Sequence, residues 1–496
     1  MVRFPVSCAA AVQPRFNRGV ALLHSFAFDQ ANDAFRAVLR DDPRCTMAWW
    51  GQALAAWGNP FAAGIKQPVQ IQRGLAAVDR ARTTGDPTPR ERAYVDAVAR
   101  LYERADTLGQ PARLLAYRDA MAALAQREPA DTEAQIFHAL ALAVAADPAD
   151  TTYASQRAAG ATLERLFAKL PDHPGLAHYL IHSYDVPPLA SRAVVAAGRY
   201  GRIAPEVSHA LHMPSHTYTR VGDWRRSIAA NLAAEGAARR EHSTAEALHA
   251  LDYRAYASLQ RGEDRAAARM VAAVPPLAGV LDPTALGTGA PPAAGYFAIA
   301  AIPARYALER GDWAAAARLE LQPSPVPWAD AITWFARGLG AARSGDTAAA
   351  RDAVAALQRI RERLLAAREA YWSEQVEIQR RGATAWLAFA QGRREEALAA
   401  MREAAEREAA TEKNAITPGP LAPARELLGE MLLAAGQPGP ALAAFEQTLR
   451  HEPNRFRALA GAASAAAAAG DLTRARAFRA ELLRLAPRSP RIPPRP

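Results

Sequence analysis

Eight of the eleven histidines in this 496-residue chain fall between His173 and His249. Residues three, four or seven apart share one face of a helix. His178, His182 and Asp185 are spaced i, i+4, i+7 and form one stripe if the helix persists to Asp185, with Pro187 ending it soon after. His209, His212 and His216 are spaced i, i+3, i+7 and form a second. His249 and Asp252 make a third, at i, i+3. Imidazole is the commonest transition-metal ligand, and carboxylates beside it complete such a set or fix a ring tautomer. The expected chemistry is therefore a metal ion bound by some of His178, His182, His212 and His216. Asp185, His209, His249 and Asp252 would either join them or hold their rings. The tyrosines Tyr179, Tyr184, Tyr218, Tyr253 and Tyr256 lie among these residues. Of them, Tyr179, Tyr218 and Tyr253, with Asp252, are the catalytic candidates, placed to orient substrate or donate protons.

The competing expectation for any one of these histidines is a core ring bonded to a backbone carbonyl. A metal-free polar pocket is a further alternative. Pro214 bears on the choice, because it can start a new helix and take His209 and His212 off the face of His216. His24 and His138 sit in apolar helical stretches and read as core. Gln375 and Glu377 read as a solvated helix face. Arg425 and Glu426 read as an ion pair within one helix start.

The elements that must position these residues are repeats. Gly429, Ala441, Phe445 and Pro453 occupy offsets 8, 20, 24 and 32 of the 34-residue helix-turn-helix pattern. Ala463, Ala475 and Pro487 recur 34 residues later, and Gly19, Ala31, Phe35 and Pro43 fit the same offsets. Small residues there let paired helices approach, and the aromatic fills the gap behind them. A Gly turn recurs at Gly222, Gly262, Gly311, Gly345, Gly392, Gly436 and Gly470. Glycine in the left-handed region ends one helix, and the acid that often follows starts the next. Proline pairs at Pro275–Pro276 and Pro291–Pro292, and the run from Pro323 to Pro327, are expected to mark loops. The expected fold is an all-α solenoid of tetratricopeptide-like hairpins over 1–487, curved or closed, with the histidine-rich region at 173–253. Residues 488–496, RSPRIPPRP preceded by its last helix, are expected to be disordered.

Composition excludes several classes. Net charge is +10, but only Lys66, Lys169 and Lys413 are lysines, and the arginines are mixed with acids. No block of five like charges occurs, so nucleic-acid binding is not expected. No apolar run is long enough to span a membrane, and the start MVRFPVSCAAAV lacks a signal-length apolar segment. Cys8 and Cys45 are too few for a disulfide framework. A cytoplasmic protein is the expectation. No phosphate loop, CxxC or HExxH motif occurs.

FPVSC, FNRGVALLHSFAF, DPRCTMAWWGQAL, HPGLAHYLIHSYDVP, HALHMPSHTYTRVGDWRRSIAAN, ALDY and TPGPLAPARELLGEMLL together resemble a group of bacterial tetratricopeptide-repeat proteins, over most of the chain. HMPSH is the most specific of these segments. The resemblance implies the fold more than an activity. It also implies that His178, His182, His209, His212, His216, His249 and Asp252 act as one set. That group usually reads EKHPVTPGP where this chain has Asn414 in place of the histidine.

The expected function is a metal-dependent enzyme acting on a small polar or amino-acid-like molecule. A His-rich site without cysteine suits copper, iron or zinc, and oxidation is favoured slightly over hydrolysis. The alternative is a scaffold binding a peptide or protein on a concave solenoid face.

Overall fold

A computed structural model provides the fold and describes all residues except 63–65, 148–149, 323 and 495–496. Among the described residues the chain is all helix and turn. Antiparallel hairpins follow one another, from Gln13–His24 with Phe28–Asp41 to Phe456–Ala468 with Leu472–Leu485. It is a tetratricopeptide-type solenoid. The chain divides into two compact units. The first holds residues 1–217, 233–246 and 282–291, and the second holds 218–232, 247–281 and 292–496.

All seven turn glycines read from the sequence adopt positive φ, between 65° and 86°. The small-residue positions also act as expected. A Cβ on Gly19 or Gly51 would lie 2.8 or 2.4 Å from the Phe35 ring. One on Gly429 or Gly461 would lie 2.9 or 2.4 Å from Phe445. One buried phenylalanine thus wedges between two glycine-bearing helices in each place. Gly461→Ala gains helix propensity of about 1 kcal/mol but overpacks Phe445. We expect a net loss of about 1–2 kcal/mol, seen as a lower thermal midpoint, with Phe445→Leu in the same chain restoring most of it.

Other features depart from expectation. Pro275 and Pro276 lie inside the helix Asp264–Ala278 rather than in a loop. Met270, Val274 and Leu277 bury one face of that helix, and the missing N–H groups fall in its last turns. Pro291 and Pro292 stand at a helix start, and Pro323 lies outside the described residues. In the tail, Arg491 donates to the carbonyls of Glu309 and Leu259 at 2.8 and 2.7 Å, so residues 488–494 are docked. Cys8 and Cys45 form a disulfide, with Cα atoms 4.8 Å apart. The N-terminal segment folds back over its hairpins through buried Phe4, which packs on Phe16, Trp50 and Tyr94. No described helix is long and apolar enough to cross a membrane.

In the second unit the loop 411–423 is held from beneath. Asp252 Oδ1 accepts from Arg305 Nε at 2.9 Å, and both side chains are buried. Arg305 also donates to Thr417 Oγ1 and the carbonyls of Gly419 and Pro420. Asn414 caps its own turn, its Oδ1 accepting from Ile416 N–H. Glu426 bonds Arg455 rather than the adjacent Arg425, which donates to Gln447. Glu377 is buried against Arg380 and Arg381 rather than solvated, and Gln375 donates to Thr411.

Glu408 caps the helix that follows this loop by accepting from Ala424 N–H at 2.7 Å. Desolvation pushes its pKa from 4.5 up to about 8. Between those values the unfolded chain has lost a proton that the folded chain keeps. Its contribution is therefore full below about pH 4.5 and lost as pH rises through about 8. Glu408→Gln should be nearly neutral near pH 4.5 and stabilise by at most about 5 kcal/mol near pH 9, measured by denaturant titration.

Candidate metal centre

The first histidine helix runs Pro174–Ser183, with Pro174 in its first turn. Its stripe places His178 and His182 side by side, their ring centroids 4.8 Å apart. His178 is fully buried, and its Nδ1 lies 2.6 Å from the backbone carbonyl of His24. A carbonyl only accepts, so Nδ1 carries the hydrogen and Nε2 the lone pair. That Nε2 is buried with no hydrogen-bond partner among the described residues. Burial holds the His178 pKa well below its ordinary value, so the ring is neutral. A neutral imidazole fixed through one nitrogen, with the other one bare, is prepared to coordinate a metal.

His209 arrives from the short helix Ser208–His212. Its ring centroid is 5.1 Å from His178 and 6.4 Å from His182. One nitrogen from each of His178, His182 and His209 can be chosen so that all lie within 4.8 Å of one another. Phe61 stacks on His182 at 4.1 Å, and Phe26 stands against His178 at 4.4 Å. The residues 287–290 press on the opposite side. A Cβ on Gly289 would meet His209 Nδ1 at 2.3 Å, and Glu246 accepts from Ala290 N–H at 2.7 Å.

Pro214 does begin a new helix, Pro214–Arg220. The break leaves His212 and His216 together, with their Nε2 atoms 3.0 Å apart. His216 Nδ1 lies 2.9 Å from Asp185 Oδ2. The carboxylate fixes the hydrogen on Nδ1, so His216 Nε2 accepts from His212 Nε2–H. This pair adjoins the three-imidazole set, with His182 and His216 centroids 6.1 Å apart.

The remaining candidates are placed differently. Tyr179 bonds His24 Nδ1 at 2.9 Å. Tyr218 packs beneath Arg226, 5.7 Å from its ring centroid. Tyr253 donates to the carbonyls of Ala415 and Thr417 at 3.1 and 3.0 Å. His249 belongs to the second unit and stands edge-on to Tyr253. Asp252 is engaged by Arg305.

A cluster with no sequence signal lies in the first unit. Glu133 receives His24 Nε2 at 2.8 Å and His173 Nε2 at 2.9 Å, all three buried. Desolvation opposes ionisation of Glu133, yet the two imidazoles hold its pKa down to about 2. The Tyr179 hydroxyl donates to His24 Nδ1, so His24 gives its own hydrogen to the carboxylate. His24 thereby anchors the carbonyl that orients His178.

No protein-family model matches the chain, and no curated protein is similar to it. Among solved structures, a human IFIT1 dimer with m7Gppp-AAAA is 12% identical at a TM-score of 0.36, over 84% of this chain and 86% of that one. The APC/C hetero-tetramer Cut9-Hcn1 gives 14% and 0.36, over 97% and 88%. The P58(IPK) TPR domain gives 12% and 0.22, over 73% and 95%. The hairpins described above carry the fold assignment on their own.

Proposed function

We propose that this chain is a tetratricopeptide-type protein that binds a transition metal through His178, His182 and His209. The finer reading is metal-dependent chemistry on a small molecule. The carrying observation is the convergence of three imidazoles within 4.8 Å, with His178 Nε2 bare and its tautomer fixed from behind. The His212–His216–Asp185 chain would tune or extend that site. Nitrogen and oxygen donors without thiolate suit copper, iron or zinc, and a redox metal is favoured slightly. The test is elemental analysis of untagged protein purified without chelator, after separate reconstitution with each metal. About one ion per chain supports the reading, and less than about 0.2 in every preparation sinks it.

A second reading keeps the fold and omits catalysis. A cleft of about 560 Å³ in the first unit is lined by Asp29, Asn32, Arg36, Gln52, Arg73 and Arg80, among others. Such paired charges and amides suit a peptide backbone and its charged side chains. Binding on a peptide array that Arg73→Glu abolishes, in a protein that holds no metal, would favour this scaffold role.

A further inference from the structure

Three helices of the first unit, Phe28–Asp41, Thr46–Trp57 and Pro68–Thr83, wall the polar cleft of about 560 Å³. Asp29, Asp33 and Arg36 line it at i, i+4 and i+7, one face of the first helix. Arg73 and Arg80, also seven apart, line it from the third. Among the described residues, no ion pair or side-chain hydrogen bond engages any of the five. Opposite charges thus share one cleft without closing on each other, and each keeps its bonding capacity for a ligand.

The charges are also ordered along the cleft. Asp29 sits in the first turn of its helix, and a Cβ on Gly287 would collide with its carboxylate. Partial burial, then the Asp33 charge, raises the Asp29 pKa against the pull of Arg73 and Arg36. Like charges at i, i+4 destabilise a helix, and an ammonium between them relieves that. Successive helices are antiparallel, so the first and third run the same way. Arg36 and Arg80 each stand seven residues, about 10.5 Å of helix rise, beyond Asp29 and Arg73, with Asp33 between. The sign therefore changes from Asp29 at one end to two guanidiniums at the other. The walls also carry neutral polar groups. Trp49 Nε1 is buried without a hydrogen-bond partner, and the side-chain amides of Asn32 and Gln52 are unengaged among the described residues. An indole N–H and two amides supply the donors and acceptors that peptide groups use.

We infer that this cleft binds a short free peptide of about three residues, its ammonium at Asp29 and Asp33 and its carboxylate at Arg36 and Arg80. Three extended residues span about 10 Å, the separation of those two ends. The inference rests on the second reading's assignment of this cleft to peptides. It narrows that assignment from segments of a protein chain to molecules with both termini free.

The experiment is calorimetry on the full chain at low salt with trialanine, N-acetyltrialanine and trialanine amide. Trialanine should bind one per chain, and removing either terminal charge should weaken it about tenfold or more. That comparison needs only the wild-type chain. Asp29→Asn should weaken trialanine about tenfold and leave N-acetyltrialanine, which lacks the ammonium, unchanged. Arg80→Met should weaken trialanine about tenfold and leave trialanine amide unchanged. Equal affinity for the three peptides overturns the assignment of the termini. So do variants that weaken the blocked peptides as much as trialanine. No binding of trialanine at about 1 mM overturns the site itself. An array that binds while trialanine does not fails only this inference. Trialanine that binds while no array segment does fails only the scaffold role.

Discussion

Replacing His178 with alanine is expected to empty the metal site. His178 contributes the one ring of the three that is fully buried, neutral and aimed by a backbone carbonyl. Even partners that only orient a ligand cost about 10- to 100-fold in affinity when removed, so losing a ligand should cost at least about 100-fold. Metal retained after gel filtration should fall from about one ion per chain to below about 0.2. With cobalt as a probe, the visible bands of the bound ion should vanish. His138→Ala, at a half-buried position outside the cluster, should leave both readings unchanged. Retention of a full metal complement by the His178 variant would end the proposed site. Gly175→Ala is a subtler arm, because a Cβ there would meet His24 Nδ1 at 2.5 Å and disturb the residue whose carbonyl aims His178.

Arg455→Met should be the most destabilising single change in the second unit. Its guanidinium is fully buried and bonds Glu426 at 2.7 Å, Glu309 at 2.7 Å and the Tyr256 hydroxyl at 3.0 Å. Those carboxylates come from separate helices, Pro292–Arg310 and Ala424–Ala434. Desolvation lifts the Glu426 pKa to about 7 even with Arg455 beside it, so without that cation Glu309 would lose its ion pair and Glu426 would keep only Arg457, 3.4 Å away. Breaking a buried ion pair by removing one partner costs about 3–5 kcal/mol. A triple replacement, Arg455→Met with Glu426→Leu and Glu309→Leu, removes all three charges and should recover most of that loss. Chemical denaturation of the three chains decides it. A single variant within about 0.5 kcal/mol of wild type would show that the cluster adds nothing to stability.

What could be read from the chain alone was local. The turn glycines, the small residues facing Phe35 and Phe445, and the histidine stripes depend on spacings within one helix or hairpin. The same periodicity that places His178 beside His182 also dictates the helix that carries them. Partner choice across the fold is another matter. Glu133 sits 109 residues from His24 and 40 from His173. Asp252 finds Arg305 at a separation of 53, and its place next to His249 gave no hint of that ion pair. Cys8 and Cys45 are joined only because the N-terminal segment folds back, and two cysteines carry no pairing information by themselves. Periodicity reports which way a side chain faces on its own helix. Only the tertiary structure decides what it meets there.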